Sequence, residues 1–535
     1  MNKVYRVIFN RALNVWQCVS ELAKSNGKSK SIKALTLAVA MVSSSAAMAV
    51  DYTSGTTTIT TSPYQVANDT VSGSSTILNV QDYYNTGSQA TIKDSASVNA
   101  TGTAQNDGAI TIDSAKLHAT EFNTGNKTTG TLTANNAKID ASKYVRFGFE
   151  KGSQGSGTLD KTTLNAGEEL VVGFKGNGTL NLNNDSLVNS NQLTMAVDTN
   201  SHATLNMNNA NLIATNAIGI GVAGTAELNF TSTRKTSDPA SKAVYVSAKQ
   251  IIVGMENTSN GKFSMNGYSH LHTNNFIIGD KGAGQVNLNQ MSPYAVGLIR
   301  LGDMVIGNQN TGIGELNIIG TAIYADTITV GNQGKGKLNL VGDSNDFLAE
   351  INVKQIRRDV NAQQSDVYIN GGEISLDTDQ SNLFENFTAN NKIELGEKGI
   401  TFAVTNLKYL PTTINHVRIN PNAVITGNIK SLDFNNVDAS HGFGKYGYGT
   451  LEMDMKSKQF KGDLLILNGT LKLNGDYVMQ GENLVIGLLD WNDDKKVSFN
   501  DGYGKLVVTG KTNISNGNLM VYAIAKEINK WHKST

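Results

Sequence analysis

Cysteine is almost absent from this chain of 535 residues, and its single Cys18 lies near the N-terminus. The remainder of the chain can therefore form no internal disulfide, although a secreted protein of this size could have used several. Proline is also scarce, with 5 residues against 53 glycines. Without disulfides, the remainder of the chain must obtain its stability from non-covalent interactions.

Charge is sparse, since Asp, Glu, Lys and Arg make up 17% of the residues. Of the 45 basic and 45 acidic residues, seven basic and one acidic residue lie in 1–49. The other residues therefore comprise 38 basic and 44 acidic ones, a formal charge of −6. A mildly acidic, dispersed surface offers no electrostatic footprint for nucleic acid, so we expect no nucleic-acid partner.

Asn, Thr, Ser and Gly fill the gaps between short apolar groups in which Val, Ile and Leu recur in alternation. This mixture favours many short strands joined by polar turns, and it disfavours long helices. The ordered alternation excludes a disordered chain. We expect one repetitive all-β structure rather than several ordinary domains.

A cleavable secretory signal is predicted over residues 1–49. A basic, aromatic opening is followed by three lysines, an apolar run over 34–42 and the sequence Ala47-Met48-Ala49. Small residues in this A-x-A-like arrangement place the cleavage after Ala49. The apolar run is too short to remain as a membrane anchor. The lack of cysteine suits a secreted chain that crosses a narrow pore unfolded.

A sequence pattern recurs between about residues 75 and 345. It consists of two apolar residues spaced by two positions, then a glycine, and then a second apolar pair. Spacing by two indicates strands whose alternate side chains point inward, and the glycine indicates a corner with positive φ or close backbone approach. The corner glycines are Gly173, Gly254, Gly279, Gly307 and Gly331. The predicted inward core residues are Leu180, Leu182, Val286, Leu288, Leu316, Ile318, Leu338 and Leu340.

Three short strands in each unit of about 22–28 residues predict an all-β, right-handed, single-stranded parallel β-helix. Coils stacked about 4.8 Å apart would satisfy one another's backbone groups, and sixteen to eighteen of them would form a rod on the order of 80 Å long. A propeller blade needs four strands and about forty residues, and a sandwich would not repeat one corner glycine.

Two segments resemble a known family. The opening MNKVYRVIFNRALNVWQCVSELAK resembles the extended signal-peptide region of type V secretion, which implies a helical signal peptide that slows export. Gly449-Thr450-Leu451, Phe460 and the run from Gly469 resemble the repeat associated with autotransporter passengers, and the strands that follow resemble the C-terminal folding cap of pertactin-like and diffuse-adhesin-like passengers.

The resemblance implies an extended signal peptide over 1–49, an N-terminal cap or linker over 50–75 and a β-helix over 76–448. The passenger-associated repeat and folding cap then occupy 449–522, and 523–535 form a tail foreign to the family. Family members continue into an outer-membrane barrel of about 250–300 residues. Because 60 residues follow Gly475, we expect a chain that stops before this barrel through natural truncation, a frameshift or an incomplete sequence.

Several sequence patterns superficially suggest chemistry, and we expect none of them to be a site. Gly342-Asp343-Ser344, with Asp346, resembles the nucleophile block of G-D-S-L esterases but follows an inward apolar pair without any surrounding helix. The sequence from Asp438 to His441 is a D-x-x-H pattern without further support.

The sequence patterns that suggest a metal-binding or phosphate-binding site are equally weak. His270 and His272 share one face of a strand but lack a third ligand. The G-x-G-x-x-G sequence over 442–447 precedes a strand instead of opening a helix. The cluster Asp490, Asp493 and Asp494 lacks the glycine–aspartate spacing of calcium-binding repeats. We therefore predict no catalytic, cofactor-binding or metal residue, no cofactor, no small-molecule substrate and no enzymatic activity.

The function implied is that of a surface passenger acting as an adhesin or a self-association rod through many weak contacts. Its expected partners are an unknown ligand on a host or sister cell and, in transit, the general secretion and outer-membrane assembly machineries. The chain would cross the inner membrane to the cell surface in the intact family, and would reach the periplasm or the exterior without a barrel. A secreted hydrolase on a β-helix scaffold and a non-functional remnant of a broken gene are the alternatives.

We expect the exported chain to begin Val50-Asp51-Tyr52, which N-terminal sequencing measures directly. The variant Ala49→Asp should accumulate as unprocessed precursor, because the cleavage site requires small neutral residues. Ala46→Asp, outside the A-x-A positions, is the matched control and should be processed. Normal processing of Ala49→Asp would contradict the assignment.

Overall fold

A computed structural model describes residues 5–10, 15–20, 49–234, 244–289, 299–344, 348–404, 415–431, 442–479, 483–487 and 504–522. The chain divides into two compact units, Met1–Ala46 and Ala47–Thr535. Within these described ranges the one helical element is the 3₁₀ turn Met455–Ser457. None of the described residues forms a helix of the length and apolarity needed to cross a membrane.

The described part of the first unit consists of two strands, Tyr5–Asn10 and Val15–Ser20, which pair antiparallel. A helical signal peptide is therefore not shown for this segment. Valine, isoleucine and the aromatic residues dominate both stretches, and these residue types favour strands. The other leader residues up to Met48, including Ala47, lie outside the described residues, whereas Ala49 is described.

The second unit is a stack of parallel strands arranged in three long sheets and one small one. The first sheet contains, in chain order, Thr56–Thr58, Tyr64–Gln65, Ile77–Val80, Tyr83–Asn85, Ser97–Ala100, Thr103–Asn106, Lys116–Thr124, Lys138–Phe147, Thr163–Val172, Leu187–Met195, Asn211–Ile220, Val244–Ser247, Gln250–Val253, Ser269–Ile278, Ile299–Ile306, Ala322–Val330, Ala349–Arg357, Gly372–Leu376, Gly399–Val404, Gly442–Tyr446, Leu464–Ile466, Asn483–Gly487 and Asn518–Tyr522.

The second sheet contains Asp51–Tyr52, Thr70–Ser72, Gln89–Lys93, Ala109–Asp113, Thr129–Asn135, Gln154–Asp160, Asn177–Asn183, His202–Asn208, Thr225–Thr231, Asn260–Asn266, Ala283–Asn289, Ile313–Ile319, Lys335–Val341, Gln364–Asn370, Ile393–Leu395, Ile425–Asn428 and Lys458–Lys461. The third sheet contains Gln380–Leu383, His416–Ile419, Thr450–Asp454, Gly469–Asn474 and Gly504–Val508. The small sheet contains Tyr477–Val478 and Thr512–Asn513.

Each coil passes through three strand directions. In the middle of the stack the first two merge into one bent strand, such as Thr163–Val172, whose pairing is irregular between Ala166 and Glu169. A corner at Gly173 then leads into the second-sheet strand Asn177–Asn183. From Gly372 onward the bend opens, and the second arm becomes the separate third sheet. The predicted all-β parallel β-helix is confirmed.

The core consists of side chains stacked in register from coil to coil. Leu180 pairs with Leu205, and Leu205 pairs with Leu228. Burying such a ladder removes apolar surface from water along the whole interior. The predicted inward residues have relative exposures of 0%, namely Leu180, Leu182, Val286, Leu288, Leu316, Ile318, Leu338 and Leu340. Residues 50–75, expected as a cap or linker, already join the stack, since Asp51 pairs with Thr70.

The corner glycines adopt left-handed backbone conformations that place the next strand against the preceding coil. Their φ angles are +72°, +77°, +69°, +73° and +76° for Gly173, Gly254, Gly279, Gly307 and Gly331. At Gly279 an added Cβ would overlap the backbone carbonyl of Ile313 in the following coil. Both the left-handed φ and the close approach therefore require glycine there.

We expect Gly279→Ala to lower the thermal unfolding midpoint far more than Gly152→Ala. Gly152 has a similar φ of +81° but open space around its Cβ position. The control variant should cost about 1–2 kcal/mol of stability, the penalty of a left-handed alanine. Gly279→Ala should cost more stability, because its Cβ would also displace the following coil. Equal midpoints for the two variants, measured by circular dichroism, would contradict the role assigned to the corner.

Candidate functional site

The esterase-like pattern occupies a turn. Gly342, Asp343 and Ser344 directly follow the strand Lys335–Val341, and the Gly342 amide donates to the Asn370 carbonyl at 2.9 Å. This hydrogen bond continues the ladder between coils, so the segment is used for stacking. Asp346, the 438–441 tetrad and the Asp490, Asp493 and Asp494 cluster lie outside the described residues.

The two histidines lie on the outer face of the strand Ser269–Ile278, on either side of the buried Leu271. The His270 ring packs edge-on against Tyr268, and burial lowers the pKa of His270. Across the described ranges, no group of three or more His, Cys, Asp or Glu residues is placed to hold a metal ion.

The glycine-rich sequence over 442–447 forms the first-sheet strand Gly442–Tyr446. Its Lys445 points into the core with an exposure of 0%, and Nζ donates to the carbonyls of Tyr446, Gly447 and Asn468 at 2.9, 2.7 and 3.2 Å. Burial lowers the pKa of Lys445 to about 7, while the three acceptors favour the protonated form. This lysine therefore serves as a hydrogen-bond donor to backbone carbonyls inside the core.

The outer face of the second sheet carries a ladder of asparagine side chains. Asn206 Nδ2 donates to Asn181 Oδ1 at 2.9 Å, and Asn229 Nδ2 donates to Asn206 Oδ1 at 3.1 Å. These amides bond to one another, as in stacked amide ladders of other parallel sheets. Part of their hydrogen-bonding capacity is therefore used inside the protein. The ladder continues at Asn287, Asn317 and Asn339.

A groove of about 300 Å³ crosses several coils on the outer side of the first sheet, where the strands bend. Pairing in register places His272 beside Arg300 and Arg300 beside Tyr324. Asn352 follows Tyr324 in the same row. The groove is therefore lined by one row of side chains drawn from successive coils. Its charged and aromatic lining residues are His272, Arg300, Tyr324, Asp326, Lys354 and Asp377.

The charges of the groove differ in how they are compensated. Lys354 is paired with Asp326, and this hydrogen bond raises the pKa of Lys354. No carboxylate among the described residues lies within ion-pair distance of Arg300. Tyr324 is 37% exposed. A guanidinium beside a phenol ring and an amide can bind a carboxylate and stack on a sugar or planar group.

A pair of glutamates, one of them buried, was not predicted from the sequence. Glu350 and Glu373 are paired in adjacent coils, and Glu373 is 9% exposed. Tyr446 Oη and Ser375 Oγ donate to Glu373 Oε1 at 3.0 and 3.1 Å. Burial and the neighbouring Glu350 raise the pKa of Glu373 to about 7. The signal available in the sequence was the spacing of 23 positions between these two glutamates, which is about the length of one coil.

The N-terminal leader matches a known family. Residues 1–50 match the family model described as the extended signal peptide of the type V secretion system. No curated protein and no solved structure matches the chain. The leader, together with the parallel β-helix that follows it, fits an autotransporter passenger. The leader also implies secretion by the type V system.

We expect Glu373→Gln to raise the unfolding midpoint at pH 8 and to leave it unchanged at pH 4.5. The folded state keeps a proton on Glu373 that the unfolded state releases between about pH 4.5 and 7. Stability therefore falls as the pH rises through this window. Glutamine keeps the acceptor for Tyr446 and removes a cost of about 1–3 kcal/mol.

The exposed Glu394, in the strand Ile393–Leu395, provides the matched control. Glu394→Gln should not change the midpoint at either pH. A Glu373→Gln variant that is destabilised at pH 8 would show that the carboxylate is favourable where it lies.

Proposed function

We propose that this passenger is an adhesin that binds an acidic glycan of a host-cell or sister-cell surface through the groove at Arg300. The observation that carries the proposal is the row His272, Arg300, Tyr324 and Asn352, which offers a guanidinium, an exposed ring and an amide on successive coils. The guanidinium binds a carboxylate of the glycan, and the ring packs against a sugar face.

The groove is open to solvent, which favours binding of a ligand over catalysis. Asp326 is engaged by Lys354 and Glu373 is buried, so these two carboxylates are poorly placed for acid–base work on a surface polymer. Many copies of one passenger on a cell convert a weak contact into firm attachment through multivalency. In this proposal the passenger acts at the cell surface by binding a ligand.

Display of the passenger on cells through an intact translocator tests the proposal. We expect the displaying cells to aggregate or to bind host cells, and the variant Arg300→Ala/Tyr324→Ala to reduce binding at least tenfold. A hydrogen bond to a charged group is worth about 1.5–3 kcal/mol, and each 1.4 kcal/mol is a tenfold change in affinity. Cell counts by microscopy and sedimentation measure the effect.

The matched control is Lys262→Ala, which removes a cation from the second sheet, away from the groove. It should bind as well as the wild type at equal surface amount, measured by protease accessibility. Wild-type binding in the double variant would exclude the groove. Dispersed cells that cleave a glycan or an ester would instead favour the hydrolase, and cells with neither property would favour a remnant.

A further inference from the structure

The first coil contains a buried negative charge in a part of the sequence that has no basic residue. Between Lys33 and Lys93 the chain has no Lys, Arg or His. Asp69 lies in this interval and is 1% exposed. Among the described residues, no basic side chain pairs with it. A buried carboxylate normally requires an opposite charge as well as hydrogen bonds.

Hydrogen bonds to Asp69 come from the start of the stack. The Val50 amide donates to Asp69 Oδ1 at 2.8 Å, and Tyr64 Oη donates to Oδ2 at 2.6 Å. The Val50 carbonyl accepts from the Thr70 amide at 3.0 Å, so Val50 is held at both of its backbone groups. Val50 is also the residue that follows the predicted cleavage site.

We propose that removal of the leader creates an ion pair between the α-ammonium group of Val50 and Asp69, and that this pair completes the first coil. Signal peptidase adds water across the Ala49–Val50 bond. The leader departs with the new carboxylate, and the Val50 nitrogen becomes an ammonium group at neutral pH. The inference rests on cleavage after Ala49 and is independent of the proposed adhesive function.

The same nitrogen therefore plays two roles. In the precursor it is a neutral amide that donates one hydrogen bond to a carboxylate whose charge stays uncompensated. In the processed chain it is a cation that neutralises the buried charge and strengthens the hydrogen bond. Leader removal and the stability of the N-terminal end of the stack are coupled, so the precursor has a weaker first coil than the mature chain.

Hydrogen exchange on chains with defined N-termini tests this coupling. The compared chains begin at Val50 or at Ala47, which adds the natural three-residue extension. We expect peptides within residues 51–72 to exchange about tenfold more slowly in the chain that begins at Val50. Acetylation of the Val50 amine, which keeps the donor but removes the charge, should restore fast exchange.

Two aspartate variants separate the ion pair from a general effect of the extension. Asp69→Asn should abolish the difference between the two chains. Asp82→Asn should preserve it, because the Asp82 carboxylate accepts from Ser62 Oγ and the Thr103 amide elsewhere in the same coils. Equal exchange in the two unmodified chains, or insensitivity to acetylation, would overturn the ion pair. An exported chain that starts at another residue would overturn its link to processing.

Discussion

Backbone hydrogen bonds between successive coils hold the second unit together, and they require every coil to keep the register of its neighbours. Leu205 and Leu228 are paired although 23 positions separate them, and Leu228 and Phe263 are paired although 35 positions do. Coil length can vary because the added residues fall between strands, as in the connection from Phe147 to Gln154, which is longer than the one from Val172 to Asn177. The strands themselves cannot slip, since a shift of one residue would turn the apolar ladder outward.

The same register generates the asparagine ladder and the groove. Equivalent positions of neighbouring coils lie side by side, so a residue type repeated at one position becomes a ladder, as for Asn181 and Asn206. Different residue types at one position become a mixed row, as for Arg300 and Tyr324 in the groove. Binding surfaces on this fold therefore arise by substitution along a row, with no change in the scaffold.

Prediction from sequence succeeded where a pattern is local and repeated. Pairs spaced by two and the glycine after them determine which side chains face the core, because strand geometry fixes that alternation. The Glu350–Glu373 pair and the groove depend on which residues of different coils become neighbours, and variable coil lengths hide this. The inward Lys445 was missed because its three acceptors are turn carbonyls, which no residue type signals. The helical leader was expected from resemblance, whereas strand-forming residues dominate its described part.

The most direct test of the stack is a set of distances between spin labels attached to introduced cysteines. The single native cysteine, Cys18, lies in the leader, so the mature chain has no other cysteine to be labelled. Asn181 and Asn317 are five coils apart by register, and Asn181 and Tyr368 are seven. With a spacing of about 4.8 Å for each coil, the account predicts separations of about 24 and about 34 Å between their backbones. Double electron–electron resonance on cysteine pairs at these positions should show that increase. Distances that fail to grow with the number of coils would contradict a continuous parallel β-helix.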